Sequence, residues 1–155
     1  MSNSAKDSAE QLPEKIGAGL FIVTQDTKKV LLLKRSMESG NPGTWGLPGG
    51  NRDDEDGDDL FVTAVREATE EMGSVPSGIH QHGAILTKRG KSGQKHYTVF
   101  LVEVGKGDFE PRLNEEHTDF MWAPVKDLPK LDNLHPVVKQ VANDYYEFVM
   151  TSYKV

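Results

Sequence analysis

The sequence contains no cysteine, which excludes thiol nucleophiles, zinc–thiolate sites, iron–sulfur ligation and disulfide staples. It also lacks long apolar runs. Gly19-Leu20-Phe21-Ile22-Val23 and Val30-Leu31-Leu32-Leu33 fall far short of the ~20 residues that a membrane-spanning helix needs. Aromatic residues are only 8% of the chain, and 18 bases face 24 acids for a net charge of −6. Duplex nucleic acid is held by clustered Lys and Arg, so the overall acidity argues against that partner.

What is present suffices for one folded unit. Hydrophobic residues are 36% of the 155 positions, and the 15 glycines bring the apolar share close to the ~45–50% usual for globular chains. A fold of this length buries about two-thirds of its unfolded surface, so one core forms without a disulfide or structural metal. Residues 1–14 are polar and mixed in charge. They are expected to be a flexible leader, neither signal nor transit peptide, ahead of a single domain over residues 15–155. The default expectation is a cytoplasmic monomer or homodimer with no membrane partner.

The negative charge is localised. Between Gly50 and Gly73 stand Asp53, Asp54, Glu55, Asp56, Asp58, Asp59, Glu67, Glu70 and Glu71 against Arg52 and Arg66 alone. The rest of the chain is close to neutral.

Local patterns give an element order. Ile16–Thr24 reads as a buried strand rich in β-branched and aromatic residues, the turn residues of Gln25–Lys29 follow, and Val30–Leu33 reads as a returning strand, together a hairpin. Ser36–Gly50 carries too many Gly and Pro for a helix and is expected as loop with short extended pieces. Leu60–Met72 has neither breaker, and Phe61, Val65, Ala68 and Met72 recur at helical spacing. Asp58 and Asp59 suit its N-cap and first turn, and Gly73 suits its stop. Ile79–Thr87 and Tyr97–Val104 read as strands around a basic loop, Asp119–Ala123 as a short strand, Pro124–Leu131 as a linker and Pro136–Val149 as a second amphipathic helix with Pro136 at its start. Strands on both sides of a central helix, with a helix at the end, imply a mixed sheet covered by helices.

On a helical wheel Glu70 and Glu71 lie at about −60° and +40° from Glu67, while Phe61, Val65, Ala68 and Met72 lie at about 100–160°. One face seeks the core; another presents three carboxylates. Like charges at this spacing destabilise an isolated helix by a few tenths of a kcal/mol per pair, and a hard divalent cation offsets such repulsion. A solvated acidic face with Arg66 paired to Glu70 is the plainer alternative.

The context decides between them. Trp45-Gly46-Leu47-Pro48-Gly49-Gly50, an acidic loop, and Arg66-Glu67-Ala68-Thr69-Glu70-Glu71-Met72-Gly73 together resemble the box of the Nudix family, G-x5-E-x7-R-E-U-x-E-E-x-G-U. There are three departures. Counting back from Arg66, the first acid of the box falls at Asp58; seven residues rather than five separate it from Gly50; and Ser74 replaces the closing aliphatic residue. The resemblance implies an α+β class chain with the Nudix fold, an α/β/α sandwich around a mixed sheet. It also implies hydrolysis of a nucleoside diphosphate linked to another group, with Mg²⁺ or Mn²⁺ as cofactor and a small nucleotide as partner.

The same resemblance assigns Glu67, Glu70 and Glu71 to the cation and to catalysis, with Arg66 orienting them. Glu116, six residues before Trp122, is expected as the further ligand or base, ahead of Glu115. Arg35 matches the position from which MutT-like members touch a substrate phosphate, with a surface cation at a strand end as the equal alternative, and Gly49 and Gly50 belong to the substrate side because they let backbone approach the helix closely. Glu67 or Glu116 takes the proton of the attacking water.

Other features carry less. An EF-hand alignment centred on Gly57 puts Arg52 and Thr63 where carboxylate ligands are required, so Asp53–Asp56 is expected as mostly solvated surface. The stretch Lys88–His96 suits a polyphosphate tail or a soluble hairpin tip equally. Trp45 and Trp122 suit base stacking or, more often, packing. His82, His96, His117 and His135 show no metal-site spacing. Substrate marks are weak, since Leu134 rather than Asn133 sits where MutT-like members carry a purine-reading asparagine. Nucleoside triphosphates stand slightly ahead of dinucleotides, nucleotide sugars and capped RNA, and a catalytically silent nucleotide-binding domain is the alternative.

Overall fold

The structure is a computed structural model that describes residues 13–155; the leader expected at 1–14 therefore lies, save for its last two residues, outside the described residues. The centre is strand β1, Lys15–Thr24, with all eight residues from Gly17 to Thr24 buried. It pairs antiparallel with β2, Lys29–Arg35, and parallel with β6, Lys95–Val104, over ten residues from Lys15↔Lys95 to Thr24↔Val104. Strand β5, His80–Arg89, closes that side antiparallel to β6, and β7, His117–Pro124, pairs antiparallel with β2. Two short pieces, β3 (Trp45–Gly46) on β2 and β4 (Gly49–Asn51) on β1, are the extended segments expected inside the glycine-rich loop. The sheet is therefore mixed, in the order β3-β2-β1-β6-β5 with β4 and β7 alongside.

Alternation along β1 builds a core on each face, because successive side chains of a strand point to opposite sides. Leu20 and Ile22 join Leu31, Leu33, Ala64, Ala68 and Met72 under helix α1, Leu60–Met72. Phe21 and Val23 join Val30, Leu32, Val137, Val138 and Val141 under the C-terminal helices. Helices thus cover both faces, and among the described residues no helix is long and apolar enough to cross a membrane.

Three expectations change. The helix expected over Pro136–Val149 is two, α2 (Pro136–Asp144) and α3 (Tyr146–Tyr153), broken at Tyr145 with φ −128° and ψ 16°. Tertiary contacts re-aim the second piece. Val149 is buried, and the buried Tyr153 hydroxyl lies 3.0 Å from both the Phe21 and Val102 carbonyls. The linker after β7 coils into a 3₁₀ helix, Val125–Lys130. The basic loop shrinks to a tight turn, since β5 and β6 stay paired out to Arg89↔Lys95 and Gly90 and Gly93 take the positive φ values that close it.

Candidate active site

Helix α1 begins where the Asp59 side chain accepts the Phe61 amide hydrogen at 3.0 Å and ends at Gly73, φ +83°. Asp59 alone is the N-cap; Asp58 precedes it with a fully exposed side chain. The acidic loop is not simply solvated, because Asp56 is only 7% exposed. Asp53 and Asp56 form a capping box around the short 3₁₀ helix Asp54–Asp56. The two oxygens of Asp56 take Arg66 Nε at 2.7 Å and Nη2 at 2.9 Å, and Oδ2 also takes the Thr63 hydroxyl at 2.8 Å. These bonds, the Arg66 guanidinium first, hold the Asp56 carboxyl far below the usual carboxylate range.

This corrects the register of the box. Five residues separate Gly50 from Asp56, as in the family pattern, so Asp56 and not Asp58 is its first acid. The two extra residues fall between Asp56 and Arg66.

Arg66 is the hub of the acidic face. Beyond Asp56 it donates to the Asn51 carbonyl at 3.0 Å, to Glu67 at 2.9 Å and to Glu70 at 3.3 Å. Arg66 thus contacts both glutamates, and the plainer Arg66–Glu70 pairing is present. Glu67 lies directly over Gly50: a Cβ at that glycine would stand 2.6 Å from Glu67 Cδ. Gly49, one position earlier, donates its amide hydrogen to Glu71 Oε1 at 2.9 Å, and a Cβ there would run into the Ala18 carbonyl and Gly19 Cα. Both glycines line the cavity, and each also meets a helix glutamate. Gly50→Ala is expected to displace the Glu67 carboxylate and lower kcat by about 10²-fold, the cost typical of a ~1 Å misplacement, with little change in far-UV circular dichroism.

The end of α1 positions a distant glutamate. The Arg112 and Asn114 amides donate to the Met72 and Glu71 carbonyls at 3.0 and 3.3 Å, satisfying groups that a helix end leaves open. Asn114 Nδ2 reaches both the Glu70 carbonyl and Glu116 Oε2 at 3.2 Å, and its Oδ1 takes the Glu116 amide at 3.0 Å. Glu116 is thereby held beside Glu67 and Glu71. Asn114 escaped the sequence reading, although an asparagine two residues before a loop glutamate is an Asx-turn signal.

A cavity of about 460 Å³ brings these groups together. Glu67, Glu71 and Glu116 line it with Arg35, Gly49 and Gly50; Glu70 does not, and its carboxylate is turned toward Arg66. Burial, opposed by the Gly49 hydrogen bond and reinforced by Glu116 and Glu67, pushes the Glu71 carboxyl up to about 9. Burial likewise raises Glu67.

The donors suit a hard divalent cation. All are carboxylate oxygens, and the 3% exposed Glu71 has one protein hydrogen bond among the described residues. No three Asp, Glu or His side chains among the described residues are already gathered as a cation-binding group.

The same cavity is also lined by basic and polar groups, Lys15, Arg35, Arg89, Lys95, Tyr97, Asn41 and His135. His135 caps α2 through Nδ1, which accepts the Val137 amide hydrogen at 3.1 Å. Burial, then Arg35 and Arg89, pull it down to about 4, so at neutral pH it is uncharged with its proton on Nε2. Neither tryptophan lines the cavity. Trp122 Nε1 donates to the Phe109 carbonyl at 2.9 Å, and Trp45 packs on the core beside β2.

Comparison with known proteins agrees with this geometry. A family model described as the NUDIX domain matches residues 13–145. A nucleoside triphosphate pyrophosphatase/Nudix hydrolase fusion protein of Bifidobacterium longum is 32% identical over 101 residues, 64% of this chain and 20% of that protein. The chain thus spans only about a fifth of that relative. Among solved structures, the Nudix hydrolase RenU of M. smegmatis superposes with a TM-score of 0.71 at 24% identity, covering 91% of this chain and 87% of that one. An Ap4A hydrolase of C. elegans does so at 0.67 and 22%, covering 87% and 98%. At such identities the structures speak for the fold, and the family model, which spans most of the chain and contains every residue of the acidic face, speaks for the family. The chain belongs to the Nudix family.

Proposed function

We propose that this protein is a divalent-cation-dependent hydrolase that cleaves a phosphoanhydride bond of a nucleoside diphosphate linked to another group, with nucleoside triphosphates as its first substrate class. The observation that carries the reading is one cavity lined both by the carboxylates of α1 and the Glu116 loop and by the cations Lys15, Arg35, Arg89 and Lys95. An anionic substrate can lie in it, its charge met by those cations and by a divalent cation that the acids would hold. A relative of Mycobacterium tuberculosis, 34% identical over 115 residues, is named a putative 8-oxo-dGTP diphosphatase, which supports the substrate class; dinucleoside polyphosphates, named for an Ap4A hydrolase of the same fold, are the alternative.

Nudix hydrolases generally use divalent cations, and Glu67, Glu71 and Glu116 would hold Mg²⁺ or Mn²⁺ here, with Glu70 at the rim. When bound, that cation neutralises phosphate charge and makes a nearby water more acidic. The chain's own groups do the rest. Arg66, anchored by Asp56, fixes the Glu67 carboxylate. Glu67, raised toward the range of an effective base by burial, accepts the proton of the attacking water, with Glu116 as the other acceptor. Arg35 meets a phosphate oxygen, and the uncharged His135 offers a hydrogen-bond donor to the same cavity.

The test is product release from ATP, dGTP, Ap4A, ADP-ribose and coenzyme A with Mg²⁺ or Mn²⁺, followed as nucleotide, phosphate or pyrophosphate. Cation-dependent hydrolysis fastest with a nucleoside triphosphate is expected. Nucleotide binding without turnover of any of the five would make the chain a silent Nudix domain.

A further inference from the structure

Three basic residues of this cavity, to which the hydrolase reading assigns no individual contact, stand in a row. Lys15 opens β1, Lys95 opens β6 and Arg89 closes β5. The registers Lys15↔Lys95 and Arg89↔Lys95 set them side by side on three adjacent strands. Neighbouring strands are about 4.8 Å apart, so the row spans roughly 10 Å along one edge of the cavity, which all three residues line. Like charges directly opposite one another on paired strands are destabilising. Among the described residues no carboxylate lies within ion-pair distance of any of the three. Arg89 Nε is buried with no hydrogen-bond partner. The row is also held in place: the Glu14 and Lys15 amides both donate to the Gln94 carbonyl, at 2.8 and 3.3 Å, and the Gln94 side chain ties down Ser92 in the adjoining turn.

We propose that Lys15, Lys95 and Arg89 form a subsite for a phosphate group of the substrate that lies beyond the scissile anhydride. A phosphate dianion offsets three aligned cations and gives the Arg89 guanidinium an acceptor of the geometry it prefers. The scissile phosphates belong with the carboxylates, the cation and Arg35, so this row reads an additional charge. Two positions of that charge share the same chemistry: the terminal phosphate of a polyphosphate chain, and a phosphomonoester on the sugar of a dinucleotide. The inference rests on the hydrolase reading and selects within it substrates with more phosphate than the reaction itself requires.

The experiment measures kcat/KM with Mg²⁺ for two matched pairs, ATP against ADP and NADPH against NADH, in the wild type and in Arg89→Gln, Lys95→Gln and Lys91→Gln. Lys91 lies in the same turn but does not line the cavity. The wild type is expected to prefer the phosphate-richer member of one pair by about tenfold or more, the cost of one lost charged contact. Which pair shows the preference identifies the position. Arg89→Gln and Lys95→Gln should bring the ratio to within about twofold, and Lys91→Gln should leave it intact. Lys95 is exposed, so its replacement keeps the fold even where Arg89→Gln does not.

Equal rates within both pairs, or a preference untouched by both subsite substitutions, overturn the subsite while hydrolysis stands. If no nucleotide is hydrolysed, binding of inorganic tripolyphosphate without divalent cation still decides. Weakening of about fivefold or more in both variants supports the subsite, and unchanged binding overturns it.

Discussion

Glu71→Gln is expected to lower turnover by about 10²–10³-fold, the usual effect of removing one fixed charge from a reacting centre, and at the same time to raise the melting temperature of the cation-free protein at pH 8. The two effects share a cause. Glu71 is 3% exposed and burial lifts its pKa from 4.5 to about 9. Between those values the folded protein holds a proton that the unfolded chain has released. Stability then falls as pH rises through this window, because burying the ionised carboxylate is costly. Glutamine has the same shape and no charge to bury, so the cation-free variant should lack this decline and melt several degrees higher than the wild type at pH 8. Mg²⁺ should raise the wild-type melting temperature, since a ligand that binds only the folded state stabilises it, and should do so much less for the variant. Melting curves from pH 5 to 9, with and without Mg²⁺, measure both. Identical pH dependence in wild type and variant would refute the raised pKa of Glu71, and an equal Mg²⁺ shift in both would remove it from the cation site.

The second large effect separates two neighbouring acids. Asp56→Asn should lower kcat/KM by about 10–100-fold, the range seen when a group that orients a cation's ligands is lost, and should reduce the melting temperature by several degrees. Asp58→Asn, whose fully exposed carboxylate sits 3.8 Å from Arg52, should do neither. Asparagine at position 56 cannot accept both Arg66 nitrogens as a carboxylate does, and Arg66 then loses the anchor that aims it at Glu67. The depressed pKa of Asp56 has the opposite sign to that of Glu71. Its contribution is present above the unfolded value and is lost as pH falls through the folded one, so it operates across the whole neutral range. Steady-state kinetics and melting curves for the two variants side by side check the register. Equal effects at positions 56 and 58 would reject it.

These two residues also show what the amino-acid order makes legible. The helix Leu60–Met72 and its acidic face could be read directly, because a helix places residues three and four apart on one side and its glutamates act within one turn of each other. Asp56 could not be singled out from five other loop acids, since what distinguishes it is a contact with Arg66 ten residues away, made from the end of the 3₁₀ helix Asp54–Asp56. Counting back from Arg66 favoured Asp58; counting forward from Gly50 would have favoured Asp56. Glu70 illustrates the converse. Its position on the helix surface was correct, yet the wheel alone does not say that Arg66 draws its carboxylate away from the cavity. The break at Tyr145 was invisible because neither Gly nor Pro marks it, and it serves the distant bonds of Tyr153 to β1 and β6. The basic row was the least legible of all, as Lys15 and Lys95 become neighbours only through a parallel pairing that sequence patterns do not register.

That pairing also shapes how the protein acquires its site. Lys15 and Lys95 are eighty positions apart along the chain, and β1 is at once the partner of β6 and of β4, the strand whose glycines sit beneath Glu67 and Glu71. Closing so long a loop costs entropy before any contact repays it, and folds dominated by such distant contacts are slow to form. Helix α1 can nucleate locally, but its carboxylates face nothing until β1 has been clamped between β4 and β6. The cavity is therefore complete only when the whole sheet has formed. A nucleotide held in it would report, and reinforce, completion of that sheet.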